Sequence, residues 1–393
     1  MAKPKLALIP AAQGSKLFSV LPSSGVGDFD FSRSGKATRI NSQGLIEEVD
    51  DGVSRLNYPM IDGKVVGCPH HILEPARTNL VTYSEDFENY FNISEITLNP
   101  NYAISPDGTL NANKVTFPFA SRSMYKNTLS LSGTHSISFW YKGEGSNIGK
   151  TFNVRLALGA TEQNIKVTLE SGWKRFEAQN NGLQVIEITN RNNTTIGTGS
   201  LLLYGFQIEQ GSFSTSYIPT NGEANGVTRS AETANSSGDA ATFNDSEGVL
   251  MAEIAALDND TTTKAITISQ ASNNLLGFYY YQSRIDAYVR VNGVNQFSTT
   301  YYLEPTTNNK ISLKYKLNNF SLWINGFEIA TDTSGSTPSG LNQLRFDDFY
   351  GNFYGKTKQI QYHNSALTDS ELEQLTSWTS FTDMAQGQLY TIE

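Results

Sequence analysis

Apolar and polar residues alternate along much of this chain with a period of two, as in Ile137-Ser138-Phe139-Trp140-Tyr141. That is the period of a half-buried strand. Between residues 81 and 220 the pattern predicts strands over 113–117, 135–142, 151–157, 163–169, 174–178, 184–189 and 200–209. Regular turn spacing without a long helical pattern predicts two packed antiparallel sheets, a jelly roll. A stretch rich in Gly, Ser, Asn, Ala and Thr (221–244) reads as an inter-domain linker. Strands resume over 248–256, 264–270, 275–281, 284–291, 310–317, 319–324, 327–331 and 356–363. Asn292-Gly293 and Asn325-Gly326 mark hairpins, because both central residues of a type I′ turn need positive φ. One short helix is expected near the end: Thr368 can cap it, Glu371 completes a capping box, and Leu372 and Leu375 share a face.

Residues 1–80 differ. Turn signals recur from Ser23-Ser24-Gly25 to Asp62-Gly63, and the extended pieces between them (17–21, 37–40, 45–49) are too short to bury a core alone. They predict an extended arm that packs on its own chain or on neighbouring subunits. The tail, 379–393, has no usable pattern. The expected class is mainly β: an arm, a sandwich over 81–220, a linker over 221–244, and a second sandwich over 245–378 that ends in the helix.

Composition narrows the function. With 393 residues, the chain suits two or three domains. A net charge of −9, with no basic stripe, excludes a coat for nucleic acid phosphates. The single Cys68 excludes an internal disulfide framework and a thiolate zinc site. No apolar run reaches the length of a membrane span, and the run Leu6 to Pro10 is too short for a signal peptide. The expectation is folding in the cytoplasm of the producing cell, without membrane insertion.

Three stretches add a resemblance. FDFSRSGKATRINSQGLIEEV (29–49) followed by ILEPARTNLVTYSEDF (72–87) resembles the N-terminal region of tail, fibre and head-fibre proteins of bacteriophages. LLLYGFQIEQGSFSTSYIPTNGEANGVTRSAE (201–232) is similar to the closing strand and exit loop of the carbohydrate-binding-module-like jelly roll in such proteins. FSLWINGFEIATDT (320–333) with QIQYHNSALTDSELEQL (359–375) resembles the late strands and terminal helix of a concanavalin-A-like, laminin-G-like sandwich. The resemblance implies a virion structural protein, a fibre or decoration component of tail or head, made in the cytoplasm of a bacterial host. It further implies an arm that attaches to other virion proteins, a homo-oligomer with a trimer favoured, and contact with host-surface glycan.

Candidate chemistry is sparse. Retaining glucanases of the concanavalin-A-like fold need two carboxylates about 5 Å apart. The acidic clusters Glu85-Asp86 with Glu88, Asp258 with Asp260, and Asp347-Asp348 lack the Glu-x-Asp-x-x-Glu pattern, and no Gly-x-Ser-x-Gly elbow appears. No catalytic residue and no cofactor is therefore expected; a polysaccharide depolymerase is the competing class. Asp258 and Asp260, or Asp347 and Asp348, could hold a structural Ca2+, although acidic turns more often have no ligand. His70-His71, beside Cys68, reads as arm packing. Tyrosines are the stronger signal. Tyr279 and Tyr281 share one side of a strand, Phe278 and Tyr280 the other. One pair faces the core. The other could meet sugar with Tyr301, Tyr302, Tyr350, Tyr354 and Asn352, unless these fill a core or subunit interface. Trp140, Trp173 and Trp323 are expected in the core.

Overall fold

The structure, a computed structural model, describes residues 3–9, 12–13, 16–61 and 63–378; the tail 379–393 lies outside them. The chain is nearly all β, arranged as antiparallel sandwiches, with one longer helix at Asp369–Ser377. No helix among the described residues is long and apolar enough to cross a membrane.

The first sandwich faces a five-stranded sheet (Thr97–Ile104, Leu110–Thr116, Ser200–Gln210, Leu131–Lys142, Lys174–Leu183, in spatial order) against a four-stranded one (Ser123–Lys126, Val185–Thr189, Thr151–Leu158, Thr161–Thr168). Phe139, Phe152, Phe176 and Phe206 fill the space between them with Val154, Ile186 and Leu203. Ser200–Gln210 is buried almost throughout because both of its faces are covered. Its pairing with Leu131–Lys142 slips between Ser138 and Trp140. Gly205 takes φ +63 there, with Trp140 close against its α-carbon. Such a bulge flips the side-chain parity, so Leu203 and Phe206 both point inward while Tyr204 points out.

The second sandwich pairs two larger sheets. One runs Phe327–Asp332, Phe320–Ile324, Asn309–Lys316, Glu247–Ala256, Gly355–His363 and then continues into residues of the arm, His70–Leu73 and Arg55–Asn57. Leu6–Leu8 pairs with the other end of Gly355–His363, Leu6 opposite Tyr362. The second sheet runs Val294–Tyr302, Arg284–Val291, Asn274–Tyr280, Lys264–Ala271, Gln343–Arg345. The arm is thus an integral part of the second sandwich: Leu6, Leu8, Leu17, Phe29, Phe31 and Leu73 share one core with Leu250, Phe278 and Tyr315. Two short strands in the stretch read as a linker also pair back onto the arm, Val227–Arg229 with Arg77–Asn79 and Thr233–Asn235 with Phe29–Ser32.

Asn292-Gly293 (φ 48 and 81) and Asn325-Gly326 (φ 50 and 88) have the backbone of type I′ turns. Thr368 and Glu371 form a reciprocal capping box. Leu372 and Leu375 lay that helix over Val249, Met251 and Trp323. Trp323, under the helix, and Trp140, with Ile46, Tyr204 and Tyr217, are buried in core clusters as expected, whereas Trp173 is only partly buried against the latter.

Candidate functional site

Two outward-facing aromatic surfaces emerge. On the first sandwich, Trp140, Tyr204 and Tyr217 cluster outside the five-stranded sheet. The arm covers these rings but leaves a cavity of about 440 Å³ beside them, lined by Trp140, Arg175, Tyr217, Thr38, Ile46 and Phe213. The arm hairpin Ala37–Ile40 with Ile46–Val49 lies over the surface, Ile46 packing on the rings and the Thr38 hydroxyl donating to the Tyr217 carbonyl at 2.6 Å. The Arg175 guanidinium stands 4.8 Å from the Trp140 ring centroid. Beneath, the Tyr204 hydroxyl lies 3.1 Å from Glu85 and 3.0 Å from Asp107, and the Tyr217 hydroxyl 3.0 Å from Glu85. Burial raises the Glu85 carboxyl above its ordinary value, against the opposing hydrogen bonds of Tyr217 and Tyr204.

A buried ionic junction fastens this cover. The Arg55 side chain is fully buried and donates from Nε to Glu232 at 2.8 Å, from Nη2 to Glu74 at 2.8 Å and also to Glu232, and from Nη1 to the Thr38 carbonyl at 2.8 Å. Arg33 reaches Glu232 at 2.8 Å and Arg229 reaches Glu74 at 2.7 Å. Ser216, in the exit loop of the first sandwich, donates its backbone N–H to Glu74 at 2.8 Å. Burial alone would raise the Glu74 carboxyl; the Arg229 and Arg55 guanidiniums overcome it and hold Glu74 well below the usual carboxylate range. The arm, the 72–79 segment, the exit loop and the 227–235 stretch meet here, so the first two of the three stretches that carry the sequence resemblance converge in space. Sequence reasoning missed this junction, although Arg and Glu inside otherwise apolar segments were the available signal.

The second surface is open. On the outer face of the second sandwich's sheet, Tyr279 and Tyr288 meet edge to face at 5.9 Å. With Thr263, Asp286, Arg290, Asn295, Ser298, Asp348 and Tyr350 they line a cavity of about 310 Å³. Phe278 and Tyr280 face the core, so parity leaves Tyr279 outside. Asp286 lies directly across from Tyr279, and Thr300 from Asp286. The turn after Gln343–Arg345 supplies the far wall. Asp348 Oδ1 accepts the N–H groups of Tyr350 at 3.0 Å and Gly351 at 2.8 Å, and Phe349 between them holds φ +74. A bulky residue seldom adopts that conformation. The turn presents Tyr350 with 81% of its surface exposed. Burial, reinforced by Asp286 at Tyr279 and by Asp348 at Tyr288, raises both hydroxyls above their ordinary value, so they remain donors at neutral pH.

Of the sequence candidates, the structure gathers Tyr279, Tyr350 and Asp348 around this cavity and adds Tyr288 and Asp286. Tyr281 is half-buried beneath the Arg284 guanidinium, 4.9 Å from its ring centroid. Tyr302 is 75% exposed on the edge strand; Tyr301 lies across from Ile285, on the opposite face from Tyr279. Tyr354 packs against the main core, and its hydroxyl accepts from exposed Asn352 at 3.2 Å. The acidic candidates are engaged by protein groups: Asp347 by Arg345 at 2.8 and 2.9 Å, Asp260 by Lys264, and Asp258 by Ser212. Among the described residues no group of three or more His, Cys, Asp or Glu could hold a metal ion. Glu85, Asp86 and Glu88 line a separate cavity of about 590 Å³ with Asn111, Asn113 and Glu223.

No family model matches the chain, and no curated protein matches it. Among solved structures it is similar to the CBM40 domain of the Ruminococcus gnavus IT-sialidase bound to α2,3-sialyllactose (15% identity, TM-score 0.30, 36% of this chain and 92% of that one). It is also similar to domain 4 of AbnA, a GH43 extracellular arabinanase from Geobacillus stearothermophilus, in complex with arabinotriose (11% identity, TM-score 0.31, 37% and 73%). A third likeness is to the binding domain of botulinum neurotoxin DC in complex with SialylT (11% identity, TM-score 0.33); it covers 39% of this chain and 40% of that one.

Proposed function

We propose that this protein is a non-enzymatic structural component of a bacteriophage particle that contacts host-surface glycan through the second sandwich. The observation that carries the glycan reading is the open cavity of Tyr279, Tyr288 and Tyr350 with Asp286, Asp348 and Asn295. A sugar ring offers an apolar C–H face to tyrosine, and its hydroxyls need partners once they leave water. The cavity lies in the size range of small-molecule sites. The particle reading is supported by the sequence resemblance, whose first two stretches meet in one buried junction. On this reading the arm serves twice, completing the second sandwich's sheet and attaching the protein to its virion neighbours. The assembly is a homo-oligomer, as a trimer, so weak single sites gain avidity. Mass spectrometry of purified particles tests the virion role: the protein should be present at a fixed copy number, and its absence overturns that role. Retention of the full chain on host polysaccharide, without shortening of the polysaccharide, tests the glycan role; reproducible cleavage would favour a depolymerase.

A further inference from the structure

Beyond the existence of a sugar site, its charge has a consequence for which sugars enter. Resting on the glycan reading above, we propose that the Tyr279–Tyr350 cavity selects sugars without a negative charge and excludes those bearing a carboxylate, such as sialic and uronic acids. Two carboxylates line the cavity: Asp286, which accepts from Arg284 Nε at 2.8 Å and from the Thr300 hydroxyl, and Asp348, which is only 8% exposed. Arg290 is the cation among the lining residues. Its guanidinium is already committed: Nε donates to Asn295 Oδ1 at 3.1 Å, Nη1 donates to the Ser272 carbonyl at 3.3 Å, and its plane lies 5.4 Å from the Tyr288 ring centroid. A carboxylate is gripped best by two adjacent guanidinium nitrogens. Each such edge of Arg290 has one nitrogen in use. An acidic sugar would therefore bring its carboxylate beside Asp348 without gaining a fork from Arg290, while Arg284 is spent on Asp286, and like charges held close disfavour the ionised form. A neutral or ammonium-bearing sugar meets the opposite situation: its O–H or N–H groups donate to carboxylates, giving charge-assisted hydrogen bonds, while its C–H face covers Tyr279 or Tyr350.

The experiment is a printed array carrying neutral, amino-sugar, sialylated and uronate-containing glycans, read with the full-length oligomer. Signal should concentrate on the neutral and amino-sugar glycans, at least about tenfold above their acidic counterparts. Asp348→Asn, which keeps the oxygen that caps Tyr350 and Gly351, should reduce that signal about tenfold. Tyr350→Ala, at an exposed position, should reduce it without any effect on folding. Acidic glycans bound as well as neutral ones, or neutral binding untouched by Asp348→Asn, would overturn the proposed selectivity while leaving a glycan site standing. Binding to no glycan at all would overturn the glycan reading itself, and this inference with it.

Discussion

Each sandwich places aromatic side chains on the outside of a five-stranded sheet, yet the two surfaces end in opposite states. Around Trp140, Tyr204 and Tyr217 the rings are buried under the arm, which the Arg55 junction holds, and the space left is a cavity of about 440 Å³ at Trp140 and Tyr217. Around Tyr279, Tyr288 and Tyr350 the face is open, and the bordering turn holds a bulky residue at positive φ. Aromatic density therefore does not mark a ligand surface by itself. What separates the two is whether another segment of the chain has a covalent reason to lie nearby and ion pairs to hold it there. The arm meets both conditions at the first sandwich, because its strands run on into the second sandwich's sheet.

The contrast breaks most severely at Arg55. Replacing Arg55 by Ala leaves Glu232 and Glu74 buried with fewer partners, and loss of one member of such a network costs ~3–5 kcal/mol. Chemical denaturation should show that loss, with a red shift of tryptophan emission as the cover over Trp140 loosens; an unchanged midpoint would mean that the arm is held by its strands alone.

Acid should act in the same direction. Burial holds His71 neutral, with the Arg55 charge adding to the effect, and its ring is pushed down to about 3; His70 is pushed down to about 3 as well. Both lie in the strand that ties the arm to the second sandwich. Between those values and the ordinary value near 6.5, the unfolded chain binds protons that the folded chain refuses, so stability falls as pH falls. By pH 5 this amounts to roughly 2 kcal/mol for each histidine. Glu74, held low by its arginines, adds to the loss once pH drops below about 4.5. Thermal unfolding between pH 7 and 4.5 should show a steadily falling midpoint. His71→Phe, which suits a ring set between Phe31 and Phe346, should flatten the slope.

Smaller effects sharpen the picture. Thr368→Ala removes the cap of the helix that covers Trp323 and should cost ~1 kcal/mol by denaturation. Tyr350→Ala should change stability by less than about 0.5 kcal/mol, as exposed substitutions usually do, while glycan retention drops. If retention persists, the open face is not the sugar site.

Much of this fold was legible in the chain, for identifiable reasons. Alternation marked the central strands, Asn-Gly the two tight turns, and Thr368 with Glu371 the helix start. Four edge strands escaped notice: Thr97–Ile104, Ser123–Lys126, Val294–Tyr302 and Gln343–Arg345. Thr97–Ile104 contains Pro100 and is mostly exposed, and Val294–Tyr302 is largely polar, so neither carries an apolar stripe. The destination of the arm escaped as well, because strands of three or four residues such as Leu6–Leu8 and His70–Leu73 contain no information about a partner roughly 280 to 355 positions away. At the candidate site, parity alone separated Tyr279 from Phe278. Tyr288 and Asp286 were missed, although counting from the turn at Gln282-Ser283 places Asp286 across from Tyr279.

The most direct test of the contrast is hydroxyl-radical footprinting of the full chain, read by mass spectrometry with and without a neutral host polysaccharide. Tyr350 and Tyr279 should be labelled in the free protein and protected by the polysaccharide, while Trp140, Tyr204 and Tyr217 stay dark in both states. Labelling of Trp140 in the free protein with protection by glycan, and no protection at Tyr350, would contradict the account and move the sugar site to the first sandwich.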